Sequence, residues 1–328
     1  ERAEAEYGMP TGYFGVSLAM PLPIVQRYGS DAEWVRTRSI KAQRGEEIWC
    51  QLFSEPSGGS DLAGLRTKAE REGGGWRIAG QKLWPTGAQH GDYGRIVVRP
   101  DPAVPKHKGL TCFWVDMRAP GVTVRPIKLA DGSTHVNEVW FDGVAVADSQ
   151  RLGEVNGGFA VAMATLMIER YAARGSAGFG RHLDLFIETA RQSRIGDGPA
   201  LEDARIRSAI ARAYAMRSGL DAISARAFQA LQAGREPGPE GSLGKLFSVR
   251  SRQKLSELAL DLMGAAGIGW TAGASIKEDW AASWLDAPTG RLAGGADEML
   301  LNTIAERVLG LPQDHRPDKG VPFNRIPG

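Results

Sequence analysis

The chain has 328 residues, enough for two or three domains and a large buried core. Apolar residues make up 42% and charged residues 24%, which is typical of a globular protein. The formal net charge is only +2 and no Lys/Arg tract concentrates it, so nucleic acid is not an expected partner. No apolar run reaches the length of a membrane span.

The first residues and the cysteines bear on location. The opening stretch, ERAEAEYGMP, contains no basic-then-apolar signal segment, although residues missing from the start could include one. The two cysteines, Cys50 and Cys112, predict buried thiols in a reducing compartment rather than a disulfide framework. These features favour a cytoplasmic location.

Three regions follow one another along the chain. Residues 1–47 have a helical pattern, in which Asp31 is placed as an N-cap before Trp34. Residues 48–153 contain short runs rich in Val, Ile, Trp and Phe between Gly, Pro and Asp turns, which predict an antiparallel sheet forming a small barrel. Residues 154–328 repeat apolar positions every three or four residues. They predict a bundle of four helices at 157–192, 200–233, 239–264 and 295–309.

Two stretches of the sheet region combine polar groups with turns. The loop Ser54–Asp61 has three hydroxyls and adjacent glycines, which allow a ligand to approach bare backbone. Downstream, Trp84 and Thr86 are two residues apart, which places them on the same side of an extended strand. A ring and a hydroxyl on one face can flank a flat heteroaromatic group and hydrogen-bond its edge. A plain surface loop and a half-buried core tryptophan explain the same residues.

Six blocks of sequence follow in a fixed order: EPSGGSDLAGLRTKA, GGWRIAGQKLWPTGAQHGDYG, PKHKGLTCFWVDM, PGVTVRP, FDGVAVADSQRLGEVNGGFAVAM and IAERVLGLP. Each is weak alone, but the ordered set resembles the acyl-CoA dehydrogenase family over nearly the whole chain. The resemblance implies an α+β fold with a central antiparallel β-barrel domain between an N-terminal helical domain and a C-terminal four-helix bundle. Residues 1–47 are short for the first domain, which implies that N-terminal residues are absent from this sequence.

The resemblance also implies a reaction. Members of that family are flavoproteins of fatty acid or lipid catabolism that remove hydrogens from the α and β carbons of an acyl-CoA thioester. The chemistry needs a base for the α proton, an acceptor for the β hydride and donors for the carbonyl oxygen. No side chain accepts a hydride, and the resemblance implies that FAD does so. It further implies an electron-transfer flavoprotein as partner and a homotetramer or heterotetramer.

The resemblance assigns binding residues position by position. In the sheet region it places the flavin against Gln51, Phe53, Ser54, Ser60, Trp84 and Thr86. Ser60 is also placed near CoA, and Arg170 near the acyl-CoA. Elsewhere it assigns FAD contacts to Arg191 and Glu298. In such enzymes the adenine end of FAD reaches a neighbouring subunit, and the resemblance assigns contacts there to Asp261, Gly264 and Ala265. Arg194 is an alternative to Arg191, because ARQSRIGDGP departs from the family's Arg-x-x-Phe-Gly form.

The catalytic base is where this chain departs from many family members. They carry it in a Tyr-Glu-Gly-Thr-Ser-type segment, and in the matching LAGGADEM Gly294 replaces the glutamate and Ala296 the threonine. In branched- and long-chain relatives the glutamate precedes an arginine on an earlier helix, the position of Glu169 and Arg170 here. The helical neighbours of Glu169 carry no charge, and desolvation there raises the pKa of a carboxylate toward the range of a general base. A surface glutamate paired with Arg170 or Arg174 is the alternative.

The sequence therefore predicts an FAD-dependent acyl-CoA dehydrogenase that forms a trans-2-enoyl-CoA. Two alternatives stay open. Gly294, Ala296 and the altered arginine motif fit a catalytically silent subunit of a heteromeric enzyme, and an acyl-CoA oxidase would use oxygen directly. The position of the base favours branched or bulky acyl groups by analogy. The five histidines lack metal-ligand spacing, so no metal site is expected.

Overall fold

A computed structural model describes residues 12–172, 176–235, 238–239, 241–269 and 279–326. Side chains are described within these ranges except at 12–13, 167–172, 176–181 and 231. The chain divides into two compact units. The first comprises Glu1–Lys128, Thr134–Glu169 and His315–Gly328, and the second comprises Leu129–Ser133 and Arg170–Asp314. The division into three domains at 47 and 153 stays a prediction.

From residue 12 onward, three helices precede the sheets of the first unit: α1 (Gly12–Ala19), α2 (Pro21–Tyr28) and α3 (Ala32–Gln43). Asp31 caps α3, because its carboxylate accepts a hydrogen bond from the Trp34 N–H at 2.9 Å, as the sequence predicted. The Trp34 ring stacks on that of Trp114, with ring centroids 4.0 Å apart. The cap and the stacked rings together fix the start of α3 against the sheet.

Two four-stranded sheets follow in the described part of the first unit. Their strands are β1 (Trp49–Leu52), β2 (Lys68–Glu72), β3 (Gly75–Thr86), β4 (Tyr93–Val98), β5 (Thr111–Asp116), β6 (Val122–Ile127), β7 (Val136–Ala147) and β8 (Arg151–Leu152). One sheet has the order β1-β4-β5-β8 and the other has the order β2-β3-β7-β6. Each of the apolar runs recognised in the sequence is therefore a strand.

The pairing of β1 with β4 is parallel, with Gln51 opposite Arg95, so the prediction of an antiparallel sheet is wrong at this point. The other pairings within the two sheets are antiparallel. Between β1 and β4 the chain forms β2 and β3 of the other sheet and then returns. A crossover of this kind lets β4 run in the same direction as β1.

Backbone hydrogen bonds join the two sheets at two places. The Leu83 N–H of β3 donates to the Ser54 carbonyl just after β1, at 2.8 Å, and the Arg99 N–H after β4 donates to the Thr67 carbonyl before β2, also at 2.8 Å. Apolar side chains from both sheets pack between them, among them Ile78, Ile96, Phe113, Val139 and Val144. The result is the barrel-like arrangement that the sequence predicted.

The helices come next. They are α4 (Gly158–Ala172), α5 (Ser176–Gln192), α6 (Ala204–Gln232), α7 (Gly241–Met263), α8 (Trp280–Leu292) and α9 (Asp297–Arg307), with a short hairpin of β9 (Arg194–Ile195) and β10 (Gly198–Pro199) before α6. Residues of α5, α6, α7 and α8 form the buried core of the second unit, including Leu183, Phe186, Leu220, Leu255 and Trp280. No helix within the described ranges is long and apolar enough to cross a membrane.

Helix α8 corrects the predicted bundle, because its residues were not predicted to be helical. The segment contains Pro288 and Gly290, which read as helix breakers in the sequence. Its start is nevertheless fixed by Asp279, whose carboxylate accepts from the Ala282 N–H at 2.8 Å, and Trp280 is buried in the core. The fourth helix of the core is therefore α8 rather than the helix near 295–309.

Candidate active site

The loop after β1 closes tightly. The backbone groups of Glu55 and Gly58 bond each other in both directions, at 2.9 and 3.0 Å. A Cβ at Gly58 would lie 3.1 Å from the Asp61 carbonyl oxygen, so a glycine lets the turn close. Ser60 is exposed on this loop, whereas Ser54 is half-buried where β1 ends. The loop therefore presents Ser60 to solvent and holds Ser54 against the sheet.

A buried ion pair lies beneath the loop. Lys82 of β3 is fully buried, and its Nζ donates to Glu55 Oε1 at 2.7 Å. The same ammonium donates to the carbonyl oxygens of Phe53, at 3.2 Å, and Val97, at 2.7 Å. One lysine therefore fixes the end of β1, the loop that follows it and strand β4.

The environment of Glu55 keeps its carboxyl group ionised. The carboxylate accepts hydrogen bonds from the backbone N–H groups of Arg66, at 2.5 Å, and Thr67, at 3.0 Å. Burial by itself raises the pKa of Glu55, but the charge of Lys82 and these hydrogen bonds hold it below its usual value. Burial lowers the pKa of Lys82, against the attraction of Glu55. The pair therefore contributes fixed geometry rather than an acid or base.

Strand β3 bulges between Leu83 and Thr86, where its register with β7 shifts. Trp84 lies in this bulge with φ 70°, a left-handed conformation that is unfavourable for a residue other than glycine. The Trp84 side chain is 51% exposed, Thr86 is exposed, and Pro85 between them is buried. The predicted ring and hydroxyl are therefore both exposed, at a bulge rather than on a regular strand.

Gln51 and Phe53 both contact a fully buried cation, Arg95 of β4. Arg95 Nη2 donates to Gln51 Oε1 at 2.7 Å, and its guanidinium carbon lies 4.5 Å from the centroid of the Phe53 ring. Arg95 Nη1 donates to Thr165 Oγ1 on α4. Two of the predicted flavin contacts therefore share one guanidinium with the helix that carries Glu169.

The predicted base and its neighbour belong to α4. Glu169 and Arg170 follow Thr165 by about one turn, but their side chains lie outside the described residues, so their roles stay predictions. Thr165 is fully buried, and its hydroxyl also donates to the Val161 carbonyl at 3.1 Å. The sequence interpretation of this helix face as uncharged did not include Arg95, which reaches it from a strand.

The remaining predicted FAD contacts lie in the second unit. Arg191 pairs with Glu188 on its own helix, and Arg194 donates to the Asp197 carbonyl within the hairpin. The other residues, all exposed, are Asp261, Gly264 and Ala265 at the end of α7 and Glu298 in the first turn of α9. The FAD contacts assigned to these residues stay predictions.

The loop before α9 contains the position of the missing glutamate. Gly294 and Gly295 have φ values of 67° and 102°, which favour glycine over a side-chain-bearing residue. The buried Asp297 carboxylate accepts from Arg250 at 3.0 Å and from Arg291 at 2.8 Å. Burial raises the pKa of Asp297, but these guanidinium groups hold it below its usual value. Asp297 therefore secures the loop and does not replace the lost base.

The described residues include neither a candidate metal site nor a reactive thiol. In the part of the chain that the structure describes, no cluster of His, Cys, Asp or Glu could hold a metal ion. Cys50 and Cys112 are free and fully buried, as predicted, and burial raises the pKa of their thiols to about 12 and about 11. The thiols are therefore neutral and unreactive at physiological pH.

Sequence reasoning missed Lys82, Glu55 and Arg95 as parts of the site. Lys82 occupies an inward position in the alternation of β3, in step with the buried Trp76 and Ile78. A charged residue at an inward position of a strand is a signal that it has a buried partner. The identity of that partner is set by contacts across the sheets, which the sequence does not display.

Two family models match the chain: the acyl-CoA dehydrogenase middle domain over residues 50–144 and the acyl-CoA dehydrogenase C-terminal domain over residues 156–309. Among curated relatives, acyl-CoA dehydrogenase IpdE1 of Mycobacterium tuberculosis is 34% identical over 272 residues, covering 82% of this chain and 68% of IpdE1. The chain belongs to the acyl-CoA dehydrogenase family. This family consists of oxidoreductases and generally depends on FAD.

Relatives of this chain within the family differ in length. Acyl-CoA dehydrogenase FadE34 of M. tuberculosis is 37% identical over 278 residues, which cover 82% of this chain but only 36% of FadE34. Two solved structures share the fold. "Tcur3481-Tcur3483 steroid ACAD" has a TM-score of 0.82 at 27% identity, covering 92% of this chain and 77% of that one. The ChsE4-ChsE5 complex from M. tuberculosis has a TM-score of 0.80 at 26% identity, covering 95% and 80%.

The residues of the first unit fit a flavin. Trp84 holds a large ring half-exposed on a strained backbone, beside the exposed Thr86. Next to them, Gly87 has φ 70°, and a Cβ there would meet nothing within 4 Å. An exposed ring, a hydroxyl and open space beside bare backbone suit a flat heteroaromatic group with polar edges.

Proposed function

We propose that this family member is an FAD-dependent acyl-CoA dehydrogenase that converts an acyl-CoA to the trans-2-enoyl-CoA. The observation that carries the proposal is the bulge of β3, which holds the half-exposed Trp84 ring in an unfavourable left-handed backbone conformation, with the exposed Thr86 two residues further on. When bound, FAD supplies the acceptor for the β hydride and the path of electrons to an electron-transfer flavoprotein.

We assign the roles of the chain's own residues from the family resemblance, position by position. Trp84 packs on the flavin ring and Thr86 hydrogen-bonds its edge, with Gln51, Phe53 and Ser54 behind them at the end of β1. Ser60 lies on the exposed loop, where it serves both flavin and CoA, and Arg170 binds the acyl-CoA. The FAD contacts proposed in the second unit are Arg191, Asp261, Gly264, Ala265 and Glu298.

Glu169 is the proposed base that takes the α proton. The left-handed backbone at Gly294 supports this, because a glutamate placed there would be strained. Replacing Glu169 with Gln should lower kcat by about 10²–10⁴-fold while FAD stays bound, since amide and carboxylate have the same shape but only one accepts a proton. Stopped-flow bleaching of the flavin by acyl-CoA measures this step. Undiminished bleaching by the variant would show that the base is elsewhere.

A bulky acyl-CoA is the proposed substrate class. The position of the base on α4 favours it, and the structural relative described as a steroid ACAD supports it. Flavin bleaching with a panel of acyl-CoAs, from linear short chains to ring-bearing side chains, tests the proposal. A preference for linear chains would contradict it.

A silent subunit of a heteromeric enzyme is the second candidate. It is favoured by Gly294 in place of the glutamate and by Arg191, whose described partner is Glu188 on its own helix. The ChsE4-ChsE5 complex shows that a protein of this fold is found with a second component. A purified homomeric protein that is yellow and bleaches with acyl-CoA would exclude this candidate. Peroxide formed without an added acceptor would instead identify an acyl-CoA oxidase.

A further inference from the structure

Arg95 joins two segments that carry different parts of the proposed site. On the sheet side, Gln51 stands directly opposite Arg95 in the parallel pairing of β1 and β4. The guanidinium therefore meets the Gln51 amide oxygen at 2.7 Å and lies 4.5 Å from the Phe53 ring centroid. Both residues are proposed flavin contacts, so their side-chain positions depend on where this cation is held.

The helix side of the connection is the first half of α4. The Gly158 N–H donates to the Leu110 carbonyl at 2.7 Å, and Thr165, which accepts from Arg95, is fully buried. Glu169 follows Thr165 by four residues, and Cβ atoms spaced in this way on a helix are about 5–6 Å apart. Movement of the Thr165 turn therefore moves the backbone that carries the proposed base.

Arg99 provides a matched comparison. It is a second buried arginine, immediately after β4, and its described hydrogen bonds go to the backbone carbonyl groups of Ala63, Leu65 and Lys106. Its guanidinium carbon also lies 3.6 Å from the Phe323 ring centroid. None of these partners is a proposed contact of flavin or substrate. The two arginines therefore share burial and location but differ in what they hold.

We propose that Arg95 is a positioning residue that holds the flavin-contacting end of β1 and the base-bearing helix α4 in one fixed relation. The inference rests on the proposed function. A guanidinium suits this task because its planar fork offers several N–H donors in fixed directions, so two acceptors on separate segments are aligned at once. A lysine in its place keeps the charge but loses the fork.

The test uses the holoprotein and the FAD-free protein with four substitutions. Arg95→Met removes the described contacts to both segments, Thr165→Val removes the described hydrogen bond to the helix, Thr165→Ser retains the hydroxyl, and Arg99→Met is the matched buried control. The measurements are the Kd of FAD for the FAD-free protein, the flavin absorbance spectrum, kcat, KM and Tm.

The substitutions are expected to change FAD binding, kcat and Tm to different degrees. We expect Arg95→Met to weaken FAD binding and kcat each by about tenfold or more, because small misplacements of reacting groups are costly. Thr165→Val should lower kcat by about tenfold, with KM and the Kd of FAD within about twofold, and Thr165→Ser should restore kcat. Arg99→Met should lower Tm but leave the Kd of FAD and kcat within about twofold.

Two results would overturn the inference. The first is that Arg95→Met and Thr165→Val, like Arg99→Met, lower Tm but leave the Kd of FAD and kcat unchanged. The second applies if Arg95→Met does not fold. In that case Thr165→Val is compared with Thr165→Ser, and an equal kcat for the two variants would overturn the inference. A wild-type protein that neither binds FAD nor bleaches would instead overturn the proposed function and this inference with it.

Discussion

Buried ionisable groups of the first unit bond strand ends and loops, whereas others in the second unit bond helices. In the first unit, Lys82, Glu55 and Arg95 bond the strand ends and loops that carry proposed cofactor contacts. In the second, the buried His182 and Asp297 join helices to each other. The difference indicates that loss of Lys82, Glu55 or Arg95 should weaken cofactor binding, whereas loss of His182 or Asp297 should lower stability alone.

Two polar clusters illustrate the second unit. The His182 ring on α5 lies 3.1 Å from the Ser256 hydroxyl on α7, which is 2.9 Å from Ser283 on α8. His182 also meets the Trp280 ring edge-on, with centroids 4.7 Å apart. Asp297 at the start of α9 forms salt bridges with an arginine of α7 and an arginine of α8. These contacts hold the bundle together and include no proposed substrate contact.

The largest effect is expected from Lys82→Met. It leaves the Glu55 carboxylate buried without its cation, which should lower the free energy of unfolding by about 3–5 kcal/mol. Because the same lysine holds the Phe53 carbonyl, FAD should also bind more weakly. Urea unfolding and FAD titration measure the two effects.

The double variant Lys82→Met with Glu55→Gln is the control. It removes both charges, so most of the lost stability should return. If the free energy of unfolding of Lys82→Met lies within about 1 kcal/mol of the wild-type value, the ion pair does not hold the loop as described.

His182 should make the stability of the second unit depend on pH. Burial lowers the pKa of His182 to about 4, so the unfolded chain takes up the proton first as the pH falls. Neutral His182 therefore contributes about 3 kcal/mol to the free energy of unfolding above about pH 6.5. This contribution is lost as the pH falls from about 6.5 to about 4. Hydrogen exchange of amides in α5, α7 and α8 measures it.

The variant His182→Gln should flatten this pH dependence, because the amide does not titrate. Above about pH 7 its stability curve should run parallel to that of the wild type. An unchanged slope between pH 6.5 and 4 would assign the loss to other groups. FAD binding should be retained, in contrast to Lys82→Met.

The smallest effect, and one of opposite sign, is expected from Trp84→Gly. Glycine adopts φ 70° without strain, and the half-exposed ring contributes little burial, so the FAD-free protein should gain about 0.5–1 kcal/mol. FAD should bind more weakly, because the ring is lost. Urea unfolding and FAD titration measure both effects.

Trp84→Ala is the matched variant for the same site. It also removes the ring but keeps a Cβ in the left-handed conformation, so it should weaken FAD binding without the gain in stability. A loss of stability in Trp84→Gly equal to that in Trp84→Ala would show that the bulge is not strained.

The sequence by itself determined much of this protein. The strand positions follow from local alternation, the start of α3 follows from Asp31, and the buried thiols follow from composition and patterning. The ordered blocks of sequence identified the family, which the family models confirmed. These features depend on residues close together in the chain or on a recognisable order of motifs, so they are readable without coordinates.

Only the tertiary structure decided how distant segments meet. It paired β1 with β4 in parallel, kept α8 helical through Pro288, and placed Glu55 against Lys82 and Thr165 against Arg95. The residues of each of these contacts are separated by tens of positions, and their energies depend on burial that the whole fold creates. Local patterns therefore predict the elements, whereas the surroundings of a buried charge are set by packing.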